Sequence, residues 1–259
     1  MAHDNKLIML GVDYSDYGAF FQSSLGKASA CISAGGDSES PSLGFKGNSD
    51  HPNEDALYVA RDGLRYLLAV ADSHFGNQAS HVLIQRLAQA AFPADADELL
   101  QTVMEIQEPE LLHGAGSTFV VSVVDLETGC GYGFSAGDSS LVTIDSVGLK
   151  HHVPHNHRFF YFQRPLTEEE WCRFEFQLAA GDLVLLFTDG VNECHYRKPE
   201  TSIQDSHIQE LWKHAKGDTK KFTALLTQLA LDGVMGNPGG QDNIALVGLA
   251  RPFPRATLC

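Results

Sequence analysis

Short apolar segments rich in branched and aromatic residues occur in groups along the chain and predict β-strands. Four other segments carry apolar residues three or four positions apart, which is the spacing of a half-buried helix. The predicted strands are 28–33, 56–60, 65–71, 117–124, 131–135, 140–144, 173–178, 183–188 and 244–249. The predicted helices are 78–92, 98–112, 203–214 and 219–234.

The order of these elements is strands, two helices, many strands, two helices and a final strand. Strict alternation of strands and helices would favour a parallel sheet, whereas this blockwise order favours antiparallel sheets covered by helices. We therefore predict an α+β layered sandwich. No linker rich in Pro, Gly or Ser separates the two halves, so we expect residues 1–259 to form one domain.

Composition and charge narrow the function classes. The apolar content of 43% with 20% charged residues predicts a folded core rather than disorder. The 18 basic and 33 acidic residues give a net charge of −15, which argues against nucleic acid as a partner. A metal site or a local arginine would still allow a phosphorylated ligand to bind.

The sequence predicts a cytoplasmic protein that does not cross a membrane. No stretch approaches the roughly 20 apolar residues of a membrane span, and the N-terminus lacks the pattern of a signal peptide. The five cysteines form no C-x-x-C pair, which favours reduced thiols over a disulfide framework.

Acidic residues stand where several apolar runs begin or end. Glu54 and Asp55 precede one predicted strand, Asp72 and Asp189 directly end two others, and Asp242 precedes the last. Carboxylates that converge at a sheet edge repel one another and need a cation, and ligand sets made only of oxygen select Mg²⁺ or Mn²⁺. Taken singly, each of these acids is also typical of a turn or a solvated surface.

Taken together, the motifs around these acids resemble a known family. Their order and spacing are similar to those of the metal-dependent protein phosphatases of the PPM type (type-2C serine/threonine phosphatases), including bacterial members. The resemblance covers residues 44–250. The motifs are Asn-Glu-Asp-Ala at 53–56, Ala-Val-Ala-Asp-Ser-His-Phe-Gly at 69–76, Gly-Ser-Thr-Phe-Val at 116–120, Ser-Ala-Gly-Asp-Ser at 135–139, Ala-Gly-Asp-Leu-Val-Leu-Leu-Phe-Thr-Asp-Gly-Val at 180–191 and Gly-Gln-Asp-Asn-Ile-Ala at 240–245.

This resemblance implies a four-layer αββα sandwich of two antiparallel sheets flanked by helix pairs, with two Mn²⁺ or Mg²⁺ ions at one end. Asp72 would bridge both ions, and Ser73, where the family usually has Gly, would offer its backbone carbonyl. Glu54 would bind one ion, and Asp189 and Asp242 the other. Such a site supplies a water nucleophile near neutral pH and offsets charge on the phosphoryl oxygens.

Three further roles follow from the same match. Asp55 would order water beside the ions. His74 would donate a proton to the leaving alkoxide, as in part of the family, although a loop histidine that only forms hydrogen bonds is the alternative. We interpret Asp138 as a structural turn residue, because Gly-Asp-Ser is also a plain turn sequence.

The sequence departs from the family pattern at two places. Asp50 stands where many members have an arginine that binds the substrate phosphate, and Lys46, His51 and Arg61 are the candidates to replace it. His113 stands where many bacterial members have an Asp that binds a third ion. Histidine is a poor ligand for Mg²⁺ and an acceptable one for Mn²⁺, so this third site is weakly supported.

Two segments stay outside these motifs. Residues 151–157 hold four histidines, which is typical of a solvated loop and less often of a transition-metal site. The aromatic run 159–162 that follows predicts either core packing or a lid over a pocket.

The favoured function is an Mn²⁺/Mg²⁺-dependent protein phosphatase acting on phosphoserine or phosphothreonine. The implied partners are a phosphorylated protein and a cognate Ser/Thr kinase. Because Asp50 replaces the arginine, a small phosphorylated metabolite is an alternative substrate. A pseudophosphatase that only binds a partner ranks third, because unpaired clustered carboxylates destabilise a fold without catalytic benefit.

Overall fold

The computed structural model describes residues 5–36, 51–74, 76–106, 116–154, 159–161, 167 and 169–253. The strands are β1 Lys6–Leu10, β2 Phe21–Leu25, β3 Ala28–Ser33, β4 Asp55–Asp62, β5 Arg65–His74, β6 Gly116–Asp125, β7 Cys130–Ala136, β8 Ser140–Ile144, β9 Leu149–His151, β10 Cys172–Gln177, β11 Leu183–Phe187 and β12 Ile244–Ala250. The helices are α1 Gln78–Gln89, α2 Ala96–Met104, α3 Asp205–Ala215 and α4 Thr219–Asp232.

The strands form two antiparallel sheets of six strands each. The first sheet has the order β1-β4-β5-β6-β7-β10, and the second has the order β2-β3-β12-β11-β8-β9. In the first sheet, short hairpins join β4 to β5 and β6 to β7. In the second sheet, β12 comes from the far end of the chain to lie between β3 and β11. The predicted α+β class with two antiparallel sheets is confirmed.

Three apolar layers hold the four layers of secondary structure together. The layer between the sheets consists of buried apolar side chains from both of them, such as Leu68, Val120 and Leu186. Leu83 of α1 and Leu99 of α2 pack against the outer face of the first sheet. The outer face of the second sheet is covered by α3 and α4 through residues such as Trp212 and Phe222. Because strands alternate their side chains between two faces, both sheets are buried on both sides.

Local polar residues fix where helices begin. Asp95 accepts hydrogen bonds from the backbone N–H groups of Asp97 and Glu98, which caps α2. Asp218 accepts from the N–H of Lys221 and caps α4 in the same way. In the described residues, no helix is both long and apolar enough to cross a bilayer.

The structure differs from the sequence-based expectation at several elements. Strands β1, β2 and β9 were not predicted, because they are short, lie towards the sheet edges and include exposed residues that obscure the alternation. Strand β5 continues three residues beyond the predicted 65–71 and ends at His74. Helix α2 ends at Met104, and the predicted extension over 107–112 lies outside the described residues.

The layer between the sheets predicts a stability effect. Leu186 of β11 is 0% exposed, so Leu186→Ala should leave a cavity and lower the free energy of unfolding by about 2–5 kcal/mol. Leu64 is 52% exposed, and Leu64→Ala should change it by less than about 0.5 kcal/mol. Urea unfolding of both variants checks this. Equal losses would mean that Leu186 does not lie in the inter-sheet core.

Candidate metal centre

The candidate centre begins at the paired ends of β4 and β5. Asp55 lies directly opposite Asp72 in the antiparallel ladder. The backbone N–H of Ser73 donates to the carbonyl of Glu54 at 3.3 Å, which places Glu54 beside the same strand end. All three carboxyl residues are buried, with at most 4% of their surface exposed. The ladder register therefore brings three predicted site residues together at one edge of the first sheet.

Two hydrogen bonds join this edge to the second sheet. The hydroxyl of Thr188, the residue after β11, donates to Asp55 Oδ2 at 2.7 Å. The side-chain oxygen of Asn243, the residue before β12, accepts from the N–H of Glu54 at 2.9 Å. These contacts fix the ends of β11 and β12 against the end of β4.

Three carboxylates converge where the two sheets are joined. One carboxylate oxygen each from Asp72, Asp138 and Asp189 lies within 4.8 Å of the other two. Asp72 is buried, and Asp138 and Asp189 are half-buried. Negative charges at this separation repel one another, and a hard divalent cation with oxygen ligands would relieve that repulsion. The cluster could therefore hold Mg²⁺ or Mn²⁺.

Asp138 reaches this cluster because its neighbours pack on the strand next to Asp72. Thr118 of β6 pairs with Asp72 across the ladder. Gly137 has a φ of 98° and lies so close to Thr118 that an added Cβ would be 2.5 Å from the Thr118 Cβ. The hydroxyls of Ser139 and Thr118 are 2.7 Å apart. The interpretation of Asp138 as a turn residue therefore missed its carboxylate, which joins the acidic cluster.

Asp189 is placed by close packing of its own turn against the β12 entry. A Cβ on Gly190 would lie 1.8 Å from the carbonyl oxygen of Asn243, so only glycine fits there. The Asp189 carbonyl accepts the N–H of Glu193 at 2.6 Å, which closes the turn. The Asp189 and Asp242 turns therefore lie side by side.

Glu54 and Asp242 lie at the same end but outside the three-carboxylate cluster. Glu54 Oε1 accepts the N–H of Gly76 at 2.6 Å, so the loop after β5 folds back on this carboxylate. Asp242 Oδ1 accepts the N–H of Asn243 at 2.8 Å. Backbone donors therefore orient both side chains.

Ser73 has a second function in positioning the site. Its hydroxyl accepts the N–H of Ser80 in the first turn of α1 at 2.5 Å. The N-cap residue Asn77 makes no side-chain capping bond, so Ser73 satisfies a donor that would otherwise lack one. The Ser80 hydroxyl in turn donates to the Glu54 carbonyl. Helix α1 is thus attached directly to the strand ends that carry the acids.

His74 lies at the open side of the cluster. Its Nδ1 is 3.9 Å from Asp72 Oδ2, and 42% of its side chain is exposed. Nδ1 itself is buried, so the exposed part of the side chain lies elsewhere on the ring. An imidazole in this position can form a hydrogen bond with a molecule bound over the acids.

Comparison with known proteins identifies the family. Residues 69–252, more than half of the chain, match the sequence model of the Stage II sporulation protein E (SpoIIE) family. The chain belongs to this family of PP2C-type phosphatases. No curated protein matches its sequence at a significant level.

Solved structures share the fold of this family member. The catalytic domain of the serine/threonine phosphatase PstP with two manganese ions is 20% identical, with a TM-score of 0.64, and the match covers 90% of this chain and 99% of that one. The Mycobacterium tuberculosis phosphatase PstP/Ppp is 21% identical, with a TM-score of 0.60 and coverages of 87% and 98%. RsbX in complex with magnesium is 13% identical, with a TM-score of 0.60 and coverages of 90% and 100%.

In this SpoIIE-family chain, His81 of α1 is a buried histidine next to Asp55, one of the acids of the candidate centre. Burial lowers its pKa to about 4, although a hydrogen bond with the Asp55 backbone acts in the opposite direction. It is therefore neutral at pH 7 and adds no positive charge to the acidic cluster.

Arg61, a candidate to replace the phosphate-binding arginine, does not reach the site. Arg61 lies six residues along β4 from Asp55, about 20 Å away at the usual rise per residue. Its guanidinium donates to the Gly63 carbonyl and lies 5.8 Å from the Tyr66 ring. Arg61 is therefore excluded as a replacement for the phosphate-binding arginine. Lys46, Asp50 and His113 lie outside the described residues. His51 is described and exposed, and it is close enough to His81 of α1 to affect the pKa of that histidine, so it stays a candidate.

The histidine tract of 151–157 is only partly described. His151 lies 3.0 Å from Asp205 of α3, and His152 lies 2.8 Å from the hydroxyl of Thr143. Both rings contact the protein at different places, which does not favour a shared metal ion. Burial lowers the pKa of His152 to about 4, and His155 and His157 lie outside the described residues.

The contact between Thr188 and Asp55 predicts a stability effect. Thr188→Val keeps the shape but removes the hydroxyl that donates to a buried carboxylate, and it should cost about 1–3 kcal/mol of unfolding free energy. Thr102→Val is the matched control, because that hydroxyl bonds the Glu98 carbonyl on an exposed helix face, and it should cost less than about 1 kcal/mol. Denaturant unfolding measures both. A Thr188→Val variant as stable as the wild type would show that this bond does not hold the sheets together.

Proposed function

We propose that this chain is an Mn²⁺- or Mg²⁺-dependent phosphatase that hydrolyses phosphoserine and phosphothreonine in proteins. The observation that carries the proposal is the convergence of Asp72, Asp138 and Asp189 at the joined end of the two sheets. Membership of the SpoIIE family supports the same conclusion. PstP and RsbX share the fold, and their structures hold manganese and magnesium.

The donor set fits hard divalent cations. Every side chain proposed as a ligand offers carboxylate oxygen, and the cluster includes neither thiolate nor imidazole, which disfavours zinc. Asp72 would contact both ions, with the Ser73 carbonyl and Glu54 on one side and Asp189 and Asp242 on the other. Asp138, which the structure adds to the set, would contact an ion next to Asp189. The bound cations would supply a water nucleophile near neutral pH and offset phosphoryl charge.

The remaining site residues would act on water and on the leaving group. Asp55, held by the Thr188 hydroxyl, has its carboxylate fixed for ordering water beside Asp72. His74, whose side chain is 42% exposed beside Asp72, would donate a hydrogen bond to the oxygen that leaves phosphorus. The serine or threonine alkoxide is a poor leaving group, so this donation would lower the barrier.

The proposed partners are a phosphorylated protein and the kinase that phosphorylates it. The described part of the chain supports a cytoplasmic location for this activity, because its four cysteines, Cys31, Cys130, Cys172 and Cys194, are all free thiols. Cys31 and Cys194 are buried, and burial raises the pKa of both thiols. These two thiols are therefore poor nucleophiles.

The first experiment measures phosphate release from a phosphothreonine peptide with Mn²⁺, Mg²⁺ or EDTA. We expect release with either metal and none with EDTA. Asp189→Ala should lower kcat/KM by about 100-fold or more, because it removes a proposed ligand. Asp232→Ala, which changes an exposed aspartate at the end of α4, should stay within about twofold of the wild type.

The same assay, run also with small phosphorylated metabolites, distinguishes the proposed substrate from the alternative functions. Release from small phosphorylated metabolites but not from phosphopeptides would replace the proposed substrate while keeping the metal chemistry. Absence of release from every substrate with either metal, in a folded protein, would contradict the proposed activity.

A further inference from the structure

The aromatic segment Phe159–Tyr161 is attached to the edge of the first sheet beside the candidate site. Phe160 and Ser117 exchange both backbone hydrogen bonds, at 2.8 and 3.0 Å. Ser117 lies beyond the stretch of β6 that pairs with β7, which ends at the pair of Phe119 and Ala136. The segment therefore takes the place of β7 along the first residues of β6.

The three aromatic side chains divide between two faces. Phe160 is 1% exposed and meets the ring of Phe119 edge-on at 5.8 Å, so it belongs to the core under α1 and α2. Because side chains alternate along an extended backbone, Phe159 and Tyr161 point the other way. Both are half-buried, and their ring centroids are 6.4 Å apart. Core packing is thus correct for Phe160 but not for its two neighbours.

Gly116 makes room for these two rings. An added Cβ there would lie 2.9 Å from the Tyr161 ring and 3.0 Å from the Phe159 Cβ. Gly116 is also the residue directly opposite His74 in the β5–β6 ladder. Because Gly116 has no side chain, Phe159 can occupy the space beside His74.

Phe159 fills that space and covers one face of the His74 ring. The two ring centroids are 4.5 Å apart, with the planes tilted by 54°. On its other side, His74 Nδ1 is directed towards Asp72 at 3.9 Å. Both contacts restrict the rotamers of a side chain that is 42% exposed.

We propose that Phe159 is a positioning residue that holds the His74 imidazole where it can donate to the leaving oxygen. The inference rests on the proposed phosphatase function. In that reaction water oxygen bonds to phosphorus and releases a proton to solvent, and the ester P–O bond breaks with its electron pair on the substrate oxygen. That oxygen takes a proton from His74, which regains one from solvent. Correct ring orientation affects only the proton transfer from His74.

The dependence on leaving group isolates this role. A threonine alkoxide needs a proton donor as the P–O bond breaks, whereas p-nitrophenolate leaves readily as an anion. A residue that only supports the fold would affect both substrates equally. A residue that positions His74 would affect the phosphothreonine peptide alone.

The experiment therefore compares Phe159→Leu with the wild type on a phosphothreonine peptide and on p-nitrophenyl phosphate, in the presence of Mn²⁺. We expect kcat for the peptide to fall by about 10-fold or more with KM within about twofold, and kcat for the aryl ester to change by less than about twofold. In a His74→Gln background, Phe159→Leu should have no further effect on either substrate. Tyr161→Leu, the matched control that leaves the contact with His74 intact, should behave as wild type.

A second readout needs neither metal nor substrate. In the metal-free protein, the Phe159 ring should shift the side-chain NMR resonances of His74, which are assigned by their loss in His74→Gln. Phe159→Leu should remove this shift, and Phe159→Tyr should retain both the shift and the peptide activity.

Three results would overturn the inference. They are equal losses on the two substrates, an effect of Phe159→Leu that persists without His74, and His74 resonances unchanged by Phe159→Leu. If the wild type hydrolyses neither substrate, the proposed function fails, and the NMR measurement still decides whether Phe159 holds the His74 ring. Unfolding midpoints of all variants show that the comparison is made on folded protein.

Discussion

Two hydrogen bonds between the sheets hold together the strand ends that carry the acids of the candidate metal centre. Thr188 and Asn243, at the ends of β11 and β12, bond to Asp55 and Glu54 at the start of β4. The sheets are packed face to face through apolar side chains along their length, but at this end they meet through buried polar groups. A buried carboxylate is tolerated only with such partners. The contacts that satisfy the Asp55 carboxylate and the Glu54 backbone N–H therefore also bring the Asp189 and Asp242 turns to the edge that carries Asp72.

The sequence predicts the class of this fold and the location of its acids because both follow from periodicity. Runs such as 183–188 and 244–249 are apolar throughout, as expected for strands buried on both faces, and the acids that bound them must lie at strand ends. The pairing of Asp55 with Asp72 also depends only on the hairpin between β4 and β5. Short strands with exposed residues, such as β2, have no comparable pattern and were missed.

Residues whose placement depends on contacts between distant segments could not be predicted. Asp138 reaches the cluster because Gly137 and Ser139 pack on Thr118, a contact that local turn chemistry does not reveal. Arg61 looked available from its charge, yet β4 carries it to the opposite end of the sheet. Phe159 meets His74 only because Gly116 and the bridge at Ser117 hold its segment there. For Asp138 and Phe159 the deciding contacts join residues 19 or more positions apart, whereas the position of Arg61 follows from the length of β4.

The central claim is that the acidic cluster is completed by a divalent cation, and unfolding free energy with and without Mn²⁺ tests it most directly. Binding to the folded state alone should stabilise the wild type by about 2.7 kcal/mol at 100 times the dissociation constant. Asp72→Asn should lose that stabilisation, while in EDTA it should be at least as stable as the wild type, because one of three repelling charges is gone. Equal Mn²⁺ effects on both proteins, or none on the wild type, would contradict the account.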